Sequence, residues 1–172
     1  MRRIPPPAWA LSAALVQQAV SRGDPGPTRV RRLISGLTAL TALGFAGVAA
    51  GSFRRMGTTL DPLEPTEASV LVTTGANSIS RNPMYVGLAG TLLANAIRLG
   101  SWQALGAAAA FVAVMDRRQI ASEETALASK FGADYEAYRA RVPRWLGLTS
   151  LRAADGPPRS PQRTGLPRRH AR

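Results

Sequence analysis

The stretch MYVGLAGTLLANAIRLGSWQALGAAAAFVAVM, residues 84–115, is 32 residues long and carries one charge, Arg98. As a single helix it would run about 48 Å, well past a hydrocarbon core of about 30 Å. Arg98 is followed at once by Leu99-Gly100-Ser101. A break there turns the stretch into a hairpin of two short arms, 84–97 and 101–115. Both arms fall short of the usual spanning length, which leaves tilt, local thinning or a re-entrant path open to them.

Upstream, Leu33 to Phe53 gives 21 consecutive residues without a charge, about 32 Å as a helix and the clearest span in the chain. It holds Gly44, Gly47 and Gly51. Gly47 and Gly51 form a G-x-x-x-G pair of the kind that lets helices pack closely. Arg54-Arg55 closes the span. Before it lie an apolar run, Ala8 to Val16, and a turn, Asp24-Pro25-Gly26-Pro27. Met1-Arg2-Arg3 ahead of that run imitates a signal peptide. Pro5-Pro6-Pro7 precedes the run, however, Gln17-Gln18 interrupts it, and no small-residue cleavage site follows before Arg22. Residues 8–21 read as a short first span or an interfacial segment.

The remainder is polar. Residues 56–83 form a connection with Pro62, Pro65, Asp61, Glu64 and Glu67, within which Ala68 to Thr73 reads as short and extended. After Met115 comes a charged amphipathic segment, 116–146. In it Ser122-Glu123-Glu124 reads as a cap and acidic first turn, Gly132 as a break between two helices, and Pro143 as the end. Residues 152–172, rich in Gly, Pro, Ser and Arg, read as a disordered basic tail. The expected architecture is an all-α integral membrane protein: one domain, 1–151, with three to four transmembrane helices, a C-terminal helical hairpin and a cytosolic helical segment.

Composition narrows the chemistry. The chain has no Cys and one His, His170, so thiolate metal sites, disulfides, Cys nucleophiles and Ser-His-Asp catalysis lack their parts, and no metal is expected. Its mean hydropathy of -0.04 averages an apolar middle with a polar tail. Of 22 basic residues only Lys130 is a lysine, and the net charge is +12. No recognition motif accompanies the arginines and many flank apolar runs, so they read as topology signals facing the lipid bilayer, not as a nucleic-acid surface. Twelve basic residues follow Met115, which puts the C-terminus in the cytoplasm. With four spans, Arg22, Arg29, Arg31 and Arg32 then lie outside, against the positive-inside rule. Abundant Ala and Gly with Arg in place of Lys fit a GC-rich bacterial genome and a bacterial inner membrane.

Two stretches hold groups for catalysis. In Val72-Thr73-Thr74-Gly75-Ala76-Asn77-Ser78-Ile79-Ser80-Arg81-Asn82-Pro83-Met84-Tyr85-Val86-Gly87, Asn82 suits an N-cap and Pro83 the first helical position. A helix start beside Arg81 is also a place for a carboxylate. The second stretch is Arg117-Arg118-Gln119-Ile120-Ala121-Ser122-Glu123-Glu124, followed by Lys130-Phe131-Gly132-Ala133-Asp134-Tyr135-Glu136-Ala137-Tyr138. Alone it is an ordinary charged surface helix. Only a hairpin brings Arg81 and Glu123 to one membrane face.

The Arg-Asn-Pro-x-Tyr-x-Gly at 81–87, the hairpin, and Glu123-Glu124 before Phe131-Gly132-x-x-Tyr135 together resemble the isoprenylcysteine carboxyl methyltransferase and phospholipid methyltransferase-like families, in particular small bacterial members. Gly57-Thr58-Thr59, Arg144-Trp145-Leu146 and the Arg2-Ile4-Pro5-Pro6-Pro7 opening agree. The resemblance runs from about Leu71 to Leu146 and rests on motif order and spacing. It implies a methyltransferase using S-adenosylmethionine, with Leu71, Val72, Asn77, Asn82, Pro83, Met84, Tyr85 and Glu123 at the cofactor, Arg118 and Glu123 catalytic, and Arg118 or Gln119 facing the acceptor. Asn77 stands where the family usually has Tyr. The acceptor would be hydrophobic or small, offering a carboxylate, thiol or amine. The alternative is a noncatalytic membrane scaffold of the same fold, binding anionic lipid or a partner through the basic tail.

Overall fold

The computed structural model describes residues 4–23, 26–55 and 70–147. The tail at 152–172 and most of the polar connection, with Gly57-Thr58-Thr59, fall outside them. Among the described residues the chain is helical, without strands. Its helices are α1 (Pro6–Val20), α2 (Arg29–Arg55), α3 (Pro83–Leu99), α4 (Trp102–Val114) and α5 (Ala121–Arg141), with a 3₁₀ turn at Gly75–Ser78 before α3 and a π-helical segment at Met115–Ile120 between α4 and α5.

α3 is the central helix, touching α1, α2 and α4. It stops at Gly100, whose φ of 69° is the left-handed cap that glycine takes at little cost, with its N–H on the carbonyl of Ala96 at 2.8 Å. Two residues later α4 sets off back along α3, so the 32-residue apolar stretch is a hairpin. The core between α1, α3 and α4 gathers Tyr85, Leu92, Phe111, Met115 and Ile120.

α2 runs antiparallel to α3, in a register read from its contacts. The Ser35 hydroxyl donates to the carbonyl of Ala94 at 2.7 Å. A Cβ placed on Gly90 would lie 2.6 Å from that of Ala42, and one on Gly87 2.5 Å from that of Ala46. The close helix approach is therefore made by α3 glycines over α2 alanines. The expected pair, Gly47 and Gly51, does not make it: nothing lies within 4 Å of where their Cβ atoms would be. Those glycines occupy another face of α2, because the Ser35 register turns Ala42, Ala46 and Ala49 toward α3.

α1 is fastened by the residue that interrupts its apolar run. Gln17 is completely buried. Its amide donates to the carbonyls of Leu92 on α3 and Ala104 on α4, each at 2.9 Å, and accepts from the Asn95 amide at 2.8 Å. Asn95 is in turn held by Arg98, through Nε at 3.2 Å and Nη2 at 2.9 Å. A buried amide left without partners would cost roughly 1–3 kcal/mol. Here every partner sits on another turn or helix, so the polar residue specifies where α1 docks.

The outer surface is apolar. Leu33, Leu37, Leu40 and Leu43 on α2 and Leu11 and Leu15 on α1 are 58–70% exposed, more contiguous apolar surface than a water-facing monomer ordinarily shows. By length and composition α2 is the one described helix able to cross a membrane, with 17% of its apolar window buried.

The second half departs from expectation at its start. Ser122-Glu123-Glu124 does not open a helix: α4 passes without a cap through the π-helical segment into α5, and the Ser122 hydroxyl turns back to the carbonyl of Gln119 at 2.8 Å. With the helix continuous, no orphan N–H groups are present for a cap to satisfy. Gly132 does break α5, at φ 51° and ψ -123°, and Val142-Pro143 ends it in extended conformation. Gly90→Leu should therefore lower the unfolding free energy by about 2 kcal/mol, read as a drop in melting temperature in detergent, while Gly47→Leu should leave the melting temperature unchanged.

Candidate functional site

The two motif stretches meet at one end of the bundle. The Tyr85 hydroxyl, in the first turn of α3, donates to Oε1 of Glu123 at 2.5 Å, and the Gln119 amide donates to the same oxygen at 2.8 Å. The π segment contributes to this meeting. Its wider turn lies between α4, which follows the core, and α5, which leaves it. Gln119 and Ile120 within it are buried. Such π turns are frequent at functional sites.

Glu124, next in the chain, faces a different set of groups. Arg144 closes on it with a forked pair, Nε to Oε1 at 3.0 Å and Nη2 to Oε2 at 2.5 Å, and Arg81 reaches Oε1 through Nη2 at 3.1 Å. Arg144 also donates to Asp116 at 3.1 Å, and the Trp145 indole N–H donates to that carboxylate at 2.8 Å. The indole hydrogen bond first, then Arg144, hold the Asp116 carboxyl below its usual range. The backbone joins in. The Arg81 N–H donates to the carbonyl of Pro143 at 2.9 Å, while the Ser80 hydroxyl and the Asn82 amide both donate to the carbonyl of Arg144 at 3.1 Å. The segment 142–145 is thus clasped over the start of α3.

The structure brings together some of the residues singled out from sequence and separates others. Tyr85, Gln119 and Glu123 form the hydrogen-bonded cluster. Val72 and Asn77 are buried, Asn77 on the 3₁₀ turn with its carbonyl accepting from the Tyr138 hydroxyl at 2.7 Å. Burial drives the Tyr138 phenol well above its usual range, keeping it a donor. Leu71 packs on the apolar cluster of Tyr135, Tyr138 and Val142. Asn82 and Pro83 are buried at the helix start and Met84 is exposed. Arg118 stands apart: exposed on the π segment, it makes no hydrogen bond or ion pair among the described residues. Two expectations change. Asn82 sits at the N-cap position but its side chain makes no capping bond, being committed to Arg144. Arg81 pairs with Glu124, so it reaches Glu123 only through its neighbour.

Sequence reasoning missed Ser80, Asp116 and Arg144 as site architecture. Ser80 is fully buried, and its hydroxyl also accepts from the Asn82 N–H at 3.1 Å. Two buried polar atoms here have no hydrogen-bond partner among the described residues, Oδ1 of Asn77 and Nε of Arg81. Unpartnered buried groups are rare enough to call for a reason.

A helical bundle with an apolar exterior and a polar cluster at one end is the form of a membrane-type enzyme acting at the lipid boundary. Residues 31–134 match the family model of the phospholipid methyltransferases, and the chain belongs to that family. The match takes in nearly all of α2, the first motif stretch, the hairpin and the second stretch as far as Asp134, and stops short of Tyr135, Arg144 and Trp145. It makes the chain a methyltransferase of the membrane type, in a family that generally uses S-adenosylmethionine. A protein of Haemophilus influenzae described as uncharacterized is 44% identical over 63 residues, which is 37% of this chain and all of that protein. No solved structure matches the chain significantly.

The clasp is testable apart from catalysis. Glu124→Gln should cost about 2 kcal/mol of stability, since it strips the anion shared by two arginines. Asp116 has a depressed carboxyl, so its contribution is complete above the ordinary carboxyl range near pH ~4 and is lost as pH falls through the lower folded value. With Trp9 and Trp102 replaced by Phe, Trp145 emission should hold steady down to that pH and shift below it; Asp116→Asn should abolish the transition.

Proposed function

We propose that the chain is an integral membrane methyltransferase dependent on S-adenosylmethionine, which it binds where the 3₁₀ turn, the start of α3 and the π segment converge, and that its acceptor is a hydrophobic molecule bearing a carboxylate, thiol or amine. The observation that carries this reading is the Tyr85–Glu123 contact, which joins two motif halves 38 residues apart at one end of the bundle.

The polar atoms present suit such a cofactor. It brings an ammonium, a carboxylate and ribose hydroxyls. The buried unpartnered Oδ1 of Asn77 is an acceptor suited to the ammonium, and the unpartnered Nε–H of Arg81 is a donor suited to the carboxylate. The Glu123 carboxylate, positioned by Tyr85 and Gln119, accepts from hydroxyl or amino groups. Asn77 in place of the usual Tyr then exchanges an aromatic contact for a polar one. Val72, Pro83 and Met84 supply apolar walls, and Leu71 supports them from the tyrosine cluster. When bound, the cofactor supplies an already activated methyl group on a sulfonium. The protein's part is alignment and exclusion of water, and neither needs the His and Cys that this sequence lacks.

A groove of about 490 Å³ supports a hydrophobic acceptor. It runs between α3 and α4, is lined by Val86, Leu93, Leu105, Ala109 and Val112, and ends at Trp145. An almost wholly apolar trough suits a hydrocarbon chain better than a small polar metabolite. We assign Arg118, exposed on the π segment, to an anionic group of the acceptor. We place this face in the cytoplasm, on the inner membrane of a bacterium, where the twelve basic residues after Met115 favour retention.

Purified protein in detergent should bind S-adenosylmethionine saturably by calorimetry. Glu123→Gln should weaken that binding tenfold or more, the loss of a charge-assisted hydrogen bond. Wild-type protein that melts cooperatively yet binds none would sink the proposal. Ala109→Trp, which fills the groove, should cut kcat/KM for long-chain acceptors while leaving cofactor affinity unchanged.

A further inference from the structure

The end of the bundle remote from the cluster carries its own pattern. The antiparallel register sets the start of α2 beside the α3–α4 turn, and five arginines collect there: Arg22, Arg29, Arg31, Arg32 and Arg98. All four ion pairs among the described residues lie at the other end, involving Arg81, Arg139 and Arg144. Among the described residues none of the five arginines is ion-paired, and like charges so crowded repel one another. Arg98 is held by Asn95 within the buried Gln17 network. The Arg31 guanidinium lies over Gly100, in the space a Cβ would need. Arg29 and Arg32 are exposed beside them on the first turn of α2.

Apolar residues share that surface. Val30 and Leu33 are each 65% exposed between and beside the arginines, and Trp102 is 84% exposed at the start of α4. Guanidinium groups interleaved with exposed aliphatic side chains and a tryptophan match a membrane's headgroup boundary, where phosphates lie above acyl chains. A soluble anionic partner would leave Val30, Leu33 and Trp102 in water.

We propose that this end is a binding surface for the phosphodiester headgroups of anionic phospholipids, seated by Arg31 and Arg98 and reinforced by Arg29 and Arg32. The assignment rests on the membrane reading but not on catalysis. It gives the arginines at 22–32 a role that does not depend on the positive-inside rule, which they contradict if the other end faces the cytoplasm. Anionic lipid in the leaflet they meet then offsets their repulsion.

The test uses the full chain in nanodiscs of phosphatidylcholine alone or mixed equally with phosphatidylglycerol. Lipid retained after release into the gas phase is counted by native mass spectrometry. Wild-type protein should retain phosphatidylglycerol at least tenfold over phosphatidylcholine. Arg29→Gln with Arg32→Gln should reduce the preference by about tenfold or more, since each arginine near an anionic surface contributes roughly fivefold. Lys130→Gln with Arg139→Gln, an equal charge loss at the opposite end, should leave it intact. Equal retention of the two lipids, or equal loss in both double variants, overturns the proposal. So does displacement by millimolar inorganic phosphate, which would mark a site for a soluble anion. Failure to enter phosphatidylcholine discs at all would instead contradict the membrane reading.

Discussion

The reversal at Gly100 is the constraint on which the remaining structure depends, because it sets which residues can meet. Glu123 follows Tyr85 by 38 positions. Along an unbroken helix that separation would be about 57 Å; with the chain turned back on itself it is a hydrogen bond. The reversal needs a left-handed residue and space above it, and glycine supplies both, since the Arg31 guanidinium occupies the place of a Cβ. α1 and α2 then dock on the hairpin, one through the Gln17 amide and the other through small residues in the Ser35 register.

Two adjacent glutamates divide the work at this end of the bundle. Glu124 is taken up by Arg81 and Arg144 and so joins the start of α3 and the segment after α5. Glu123 accepts from two uncharged donors, Tyr85 and Gln119. A carboxylate shared by two guanidiniums, as Glu124 is, serves as architecture. Consecutive residues of an α-helix point about 100° apart, so the first turns of α5 present the two to different surroundings.

The hairpin is legible because a 32-residue stretch with a single charge is longer than a bilayer needs, and the break at Gly132 because a glycine interrupts an amphipathic pattern. The rest depended on partners that a sequence does not show. Gly47 and Gly51 have the spacing of a packing motif, yet the Ser35–Ala94 register selects Gly87 and Gly90. Gln17 reads with Gln18 as an interruption; an amide inside an apolar run is the available signal, since among helices it needs partners from its neighbours. Ser80 and Asp116 looked like any loop serine and surface acid. Asn82 has the chemistry of a cap, but the carbonyl of Arg144 competes for it, and Arg144 lies 62 residues away.

The central claim is that one site is built from both halves of the motif. It is tested most directly by ultraviolet cross-linking of methyl-labelled S-adenosylmethionine to the protein in lipid, followed by mapping of the labelled peptides. The account predicts label in two separate regions, residues 71–86 and 118–124, competed away by unlabelled cofactor. Competed label confined to α1, to the start of α2 or to residues 152–172, or the absence of competed label in folded protein, would contradict it.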